Sequence, residues 1–199
     1  MKILGIDLAG KQENPSGVAI LDGNKLNLLT FYTDNEICDL IDELKPRVIV
    51  IDAPLSLPKG RCCLEKNCKC AVGGHFRQAE RDIRQYGPVL PLTFRGMNML
   101  TMRGIKLSTK LKKEYIVLES HPNTSSKILK FKDPFSGLNK FFTIYSKSTE
   151  HELDAGILTL VGLLYLRDCY VELGDPDEGL IILPTDKNCL DILNKYLID

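Results

Sequence analysis

Two stretches of this chain, Val48-Ile49-Val50-Ile51 and Ile116-Val117-Leu118, contain no polar residue, and each runs straight into a carboxylate, Asp52 and Glu119. A strand with one wet face alternates apolar and polar residues. An unbroken Val/Ile/Leu run marks a strand covered on both faces, as in sheets with helices above and below. Such a pair commits the chain to an α/β architecture. Ahead of them lie three more apolar runs, Ile3 to Asp7, Gly17 to Leu21 and Leu26 to Tyr32. Asp22-Gly23 separates the last two, and Gly there accepts the positive φ of a tight hairpin turn. These three runs predict an antiparallel meander.

Helical spacing appears at Ile37, Leu40, Ile41 and Leu44, with Pro46 as the stop. Residues 93–113 read as a helix interrupted by Gly96 and Gly104, and Pro122 suits the first turn of a short one. Thr149-Glu150-His151-Glu152 matches a capping box opening a long helix, with Leu153, Ile157, Leu160, Val161 and Leu164 as its buried stripe. Gly179 to Pro184 is strand-like and precedes a short terminal helix. The order predicts a mixed five-stranded sheet flanked by helices, the three-strand meander plus parallel strands, with the fourth and fifth strands beside the first. At 199 residues the chain suits a single domain over 1–199. Residues 55–92, irregular and cysteine-bearing, read as an insertion within it.

The length supports a hydrophobic core without staples, and 26% charged residues with no low-complexity tract exclude a disordered chain. No apolar run reaches the ~18–20 residues of a membrane span. Asp7 interrupts the N-terminal apolar run too early for a signal peptide, so the expectation is a soluble cytoplasmic protein. Cysteine usage agrees: seven is odd, and four crowd together at Cys62, Cys63, Cys68 and Cys70, unlike a secreted disulfide framework. Cys38, Cys169 and Cys189 lie in apolar segments, where cysteine behaves as a small hydrophobe.

Asp7, Asp52 and Glu119 each end a strand. If those strands are parallel neighbours, about 4.8 Å apart, their carboxylates emerge at one edge, where open sheets place ligands. Asp154 joins them from the long helix, with His151 three residues earlier on the same face. Crowded like charges call for a cation, and hard oxygen donors favour Mg²⁺ or Mn²⁺. Such a centre activates water for phosphodiester hydrolysis. The alternative is that strand-end acids merely cap turns.

With those residues in view, the chain resembles the ribonuclease-H-like predicted nucleases of domain-of-unknown-function family 429. The matching segments are Gly5-Ile6-Asp7 with Gly17-Val18-Ala19, Val50 to Leu55, Glu80-Arg81-Asp82 with Arg84, and Glu119-Ser120-His121-Pro122. His151 to Ala155, and Gly174 to Gly179 leading into Ile181 to Pro184, complete the ordered set across nearly the whole chain. The resemblance implies a ribonuclease H fold with metal-bound acids at Asp7, Asp52, Glu119 and Asp154. The Cys62–Cys70 segment departs from the family's pattern.

Cys62, Cys63, Cys68 and Cys70, with His75 five residues on, supply enough soft ligands for one tetrahedral Zn²⁺. Adjacent cysteines seldom face one metal together, which brings His75 forward as the fourth ligand. An Fe–S cluster, a local disulfide or free thiols use the same sulfurs. After it, Arg77, Arg81 and Arg84 recur at helical spacing, and Arg95 to Lys113 carries six bases, Arg95 and Arg103 among them, and no acid. The far end compensates, with eight acids against two bases from Asp168 onward, so the formal net charge is zero. The arginines either contact nucleic-acid phosphates or pair with Glu80 and Asp82 in a surface network.

The reading that absorbs most of these features is a metal-dependent nuclease acting on DNA or RNA, with Asp7 and Asp52 sharing the ion, Glu119 and Asp154 completing its shell, and His151 orienting water or protonating a leaving group. A phosphotransferase of the actin and sugar-kinase superfamily is the second, since Gly5 to Gly10 resembles its first phosphate motif. Gly73-Gly74, the lone Gly pair, does not follow a strand as a second phosphate loop would. A non-catalytic nucleic-acid-binding module is the third.

Overall fold

The computed structural model describes residues 1–144, 148–185 and 189–196. The meander forms as expected: β1 (Lys2–Asp7), β2 (Ser16–Asp22) and β3 (Lys25–Phe31), with Gly23 at φ 60° in the tight turn between the last two. Helix α1 (Asp34–Leu44) opens on a capping box in which Thr33 accepts from Glu36 N–H and Glu36 reaches back to the Thr33 N–H. Strand β4 (Val48–Asp52) then lies parallel to β1, and β5 (Ile116–Glu119) parallel to β4. Between them run the short helix α2 (Gln78–Ile83) and the longer α3 (Arg95–Leu111).

The second half adds α4 (Pro122–Ile128), α5 (Pro134–Leu138), β6 (Thr143–Ile144), α6 (Glu150–Tyr165), β7 (Tyr170–Asp175), β8 (Gly179–Pro184) and α7 (Cys189–Tyr196). The sheet therefore has eight strands, ordered β6-β3-β2-β1-β4-β5-β8-β7, rather than five. The fourth and fifth strands do extend it beside the first. The additions are edge pieces: two-residue β6, and the β7–β8 hairpin, which joins β5 through a single register pair, Glu119 with Ile181.

Period-2 alternation sorts the central strands onto two layers. Ile3 packs with Leu160 and Leu163 of α6, while Leu4 and Ile6 pack with Ile37 and Ile41 of α1 and Leu107 and Leu111 of α3. Helix α6 is buried on every side from Ala155 to Leu164, not along one stripe, because the sheet covers one flank and α4, α5 and α7 close over the others. Its capping box, Thr149 with Glu152, forms as the sequence indicates. Cys169 and Cys189, expected as isolated hydrophobes, form a disulfide linking the segment before β7 to α7. Their separation of 20 residues carried no local sign of that meeting.

Candidate active site

Asp7 and Asp52 are partners in the β1–β4 register, at the carboxyl ends of adjacent parallel strands. By alternation, Asp7 shares the face of Ile3 and Gly5, and Asp52 that of Val48 and Val50, which is the α6 side. The N-terminus of α6 comes down on that edge because two glycines leave room. A Cβ at Gly17 would lie 2.0 Å from the His151 carbonyl oxygen, and one at Gly5 would lie 2.1 Å from that of Ala155. Glycine inside a strand marks this kind of close approach. Helix α6 thereby delivers His151 and Asp154 to the strand-end acids.

His151 Nδ1 lies 2.6 Å from Asp7 Oδ2. An ionised carboxylate only accepts, so Nδ1 carries the proton and the exposed ring keeps Nε2 toward solvent. Burial pushes the Asp7 carboxyl up, opposed by His151. Asp52 rises well above the ordinary carboxylate range, first through burial, then through Asp7, Asp154 and Glu119 around it. Asp154 is pushed up to about 6 by burial and by its acidic neighbours Asp7 and Glu150. Among the described residues, no lysine or arginine pairs with Asp52 or Asp154. Three hard-oxygen donors repelling one another suit a divalent cation.

Glu119 reaches the same edge but on the other face. It pairs in register with Ile51, not Asp52, and Ile51 belongs to the α1/α3 layer. Both of its oxygens are already engaged: Oε1 accepts from Arg77, and Oε2 accepts from Arg77 Nη1 at 2.8 Å and from the Leu55 N–H at 2.9 Å. Burial pushes this carboxyl up and the guanidinium opposes it. Expected as a metal ligand beside Asp52, Glu119 lines the same cavity as Asp52 but has both oxygens occupied by Arg77 and the Leu55 N–H.

Arg77 is not on a phosphate-facing helical stripe with Arg81 and Arg84. It occupies the N-cap position of α2, is fully buried, and is shared between Glu80 and Glu119. Arg103 is likewise buried, bound to Asp34 at 2.8 Å and to the carbonyls of Ala9 and Tyr32. Both guanidiniums are engaged by acceptors within the protein, and Arg103 also lines a cavity of about 450 Å³ with Lys11 and Lys106. Arg81, Arg84 and Arg95 are exposed, Arg84 lying over the Phe76 ring at 4.0 Å.

A cavity of about 290 Å³ opens beside Asp52 and Glu119, with an apolar wall of Ile83, Val89, Leu90, Met97 and Leu100. His121 also lines it. Its Nδ1 accepts from the Thr124 N–H and caps α4, which leaves the ring proton on Nε2. Burial and Lys127 hold this histidine below its ordinary value. Sequence reasoning missed the acid that closes the surrounding network, Glu178. Its carboxylate accepts from the backbone N–H groups of Lys59 and Gln78, and its carbonyl from Ser56. It lies within the Gly174–Gly179 segment of the resemblance, but nothing there marks its role, because Lys59 and Gln78 are about a hundred residues away.

The four thiols Cys62, Cys63, Cys68 and Cys70 gather with all sulfurs within 4.8 Å of one another. Both adjacent cysteines face inward, contrary to expectation. His75 stands apart, its Nδ1 bound to Thr93 at 2.8 Å. Backbone hydrogen bonding at Cys62 draws the Cys70 thiol down to about 6, while the Cys70 and Cys68 thiols push Cys62 up to about 12. Gly73, in the same loop, packs on Lys59 and Arg61.

No family model matches the chain, and no curated protein matches it. Among solved structures it is similar to T. thermophilus RuvC in complex with a Holliday junction substrate, at 11% identity and a TM-score of 0.50, over 84% of this chain and 96% of that one. The fold is ribonuclease-H-like. Among the described residues, no helix of this ribonuclease-H-like chain is long and apolar enough to cross a membrane.

Proposed function

We propose that the protein is a metal-dependent nuclease that hydrolyses phosphodiester bonds of nucleic acid, of the kind grouped in domain-of-unknown-function family 429. The observation that carries this is the electrostatic crowding of Asp7, Asp52 and Asp154, brought from β1, β4 and α6, with no lysine or arginine paired to Asp52 or Asp154 among the described residues. The RuvC of the similar structure is bound to a Holliday junction, which supports a nucleic-acid partner here. Asp7, Asp52 and Asp154 would hold Mg²⁺ or Mn²⁺, which supplies activation of water and charge stabilisation at the phosphate. His151, anchored on Asp7 through Nδ1, presents Nε2 to take a proton from water or give one to the leaving oxygen. Arg81, Arg84 and Arg95 remain as exposed phosphate contacts. Glu119 serves by holding Arg77 in place. The apolar wall beside Asp52 offers a nucleobase a surface to pack on.

The test is cleavage of labelled DNA and RNA in single-stranded, duplex and branched forms with Mg²⁺, Mn²⁺ or EDTA. Asp7→Asn and Asp52→Asn proteins, shown folded by circular dichroism, run beside the wild type. Cleavage that requires metal and disappears in both variants is the expected result. Cleavage that survives both substitutions, or its absence from folded wild type across the panel, overturns the proposal.

A further inference from the structure

The cysteine quartet belongs to a loop that cannot hold itself together by packing. Between Lys59 and Phe76 the buried side chains are Arg61 and Leu64, and Val72 is 94% exposed. One apolar side chain is no core, and segments of this kind rely on a cross-link or a metal. The loop's base is already closed. Glu178 accepts from Lys59 N–H at one end and Gln78 N–H at the other, both at 2.6 Å. Arg61 gathers the interior, donating to the carbonyls of Gly74, Cys63, Glu65 and Ala71. What remains unexplained is the tip, where four thiols meet.

Their spacing discriminates between the available chemistries. Cys62 and Cys68 sulfurs are 3.8 Å apart, and those of Cys63 and Cys70 are 3.7 Å apart. A disulfide needs about 2.05 Å. Four thiolates at about 2.3 Å around one tetrahedral Zn²⁺ stand about 3.8 Å from each other. An Fe–S cluster distributes its cysteines over different irons and spreads them further than the 4.8 Å that encloses all four here. The charge also fits. A tetrathiolate zinc centre carries two negative charges, and Lys59 to Cys70 supplies Lys59, Arg61, Lys66 and Lys69 against Glu65 alone.

We propose that Cys62, Cys63, Cys68 and Cys70 bind one Zn²⁺ as a structural ion, and that this ion positions the Arg77–Glu119 pair. The loop is the connection between Asp52 at the end of β4 and Arg77 at the start of α2. Its ends bear directly on that pair: Ser56 accepts from Arg77 Nη1 at 2.7 Å and donates to Glu178, and Leu55 N–H donates to Glu119. Arg77 is a positioning residue in this scheme, and the zinc acts through it. The proposal concerns binding and order in the loop, so it stands or falls apart from any nuclease activity.

The experiment uses the full chain purified without chelator. Metal analysis is expected to return one zinc per chain, lost in Cys63→Ser and Cys70→Ser and retained in Cys38→Ser. Cobalt added to the stripped protein is expected to give the visible bands of tetrahedral coordination with thiolate charge transfer. Hydrogen exchange on wild type, before and after stripping, gives the positioning readout: amides of Gln78 and Leu55 accelerate by more than about tenfold while those of β1 hold. Iron in place of zinc, no bound metal, or thiol titration showing the quartet oxidised overturns the site. Bound zinc with unchanged exchange at Gln78 and Leu55 overturns its positioning role.

Discussion

Arg77 has no exposed surface, and two carboxylates, Glu80 and Glu119, share its guanidinium. Removing one member of such a group leaves the others buried and uncompensated, which costs about 3–5 kcal/mol. Arg77→Met is therefore expected to be among the most damaging single changes in the chain, read as a lowered midpoint in thermal or denaturant unfolding. Adding Glu80→Gln and Glu119→Gln should recover much of the loss; a triple variant no better than Arg77→Met would show that packing, not charge, dominates. The residue type was legible, but its role was not. Glu80 Oε2 accepts from the Arg77 backbone N–H at 2.8 Å, but a guanidinium has no acceptor to return the bond, so the pair carries no Ser/Thr-type capping signal in the sequence. The third member, Glu119, lies 42 residues away, beyond what spacing reports.

Helix starts were the best-read elements, because caps depend on neighbours in sequence. The α1 box makes a pH prediction. N–H donors at Thr33 and Tyr32 hold the exposed Glu36 carboxyl below its ordinary 4.5. A group whose folded value is depressed contributes stability that is present above the unfolded value and is lost as pH falls through the folded one. Glu36→Gln should thus lower the melting temperature near neutral pH and converge with wild type as pH falls below the depressed folded value; a constant gap across the range would refute the assignment. Strand faces were read less well. Both strands ending in Asp52 and Glu119 are apolar throughout, so alternation is invisible in them, and only the register pair Ile51–Glu119 shows that the two acids sit on opposite faces. The glycines were visible without their reason: Gly17 and Gly5 answer to α6, more than 130 residues later.

For the molecule as a whole, the α6 layer is tied to the C-terminal segment by Cys169–Cys189. Closing a loop of that 20-residue separation is worth about 3 kcal/mol, or roughly 6–12 °C of melting temperature at this size. Cys189→Ser should show that loss with cleavage at lower temperature unchanged, because no α7 residue is among the groups acting on Asp7, Asp52 or Asp154; lost cleavage would show that α7 supports the site. At this scale the division of information is clear. Chain order, the buried strands, the helix caps, the strand-end positions of Asp7 and Asp52 and the crowding of four cysteines are local, set by hydrophobic runs and turn chemistry that neighbours impose. The face on which Glu119 projects, the enclosure of Arg77 and Arg103, the grip of Glu178 on both ends of the cysteine loop and the extra hairpin at the sheet edge were decided by tertiary structure. Each depends on a partner distant in sequence, and burial turns a charged side chain from a surface contact into an internal clamp only when that partner arrives.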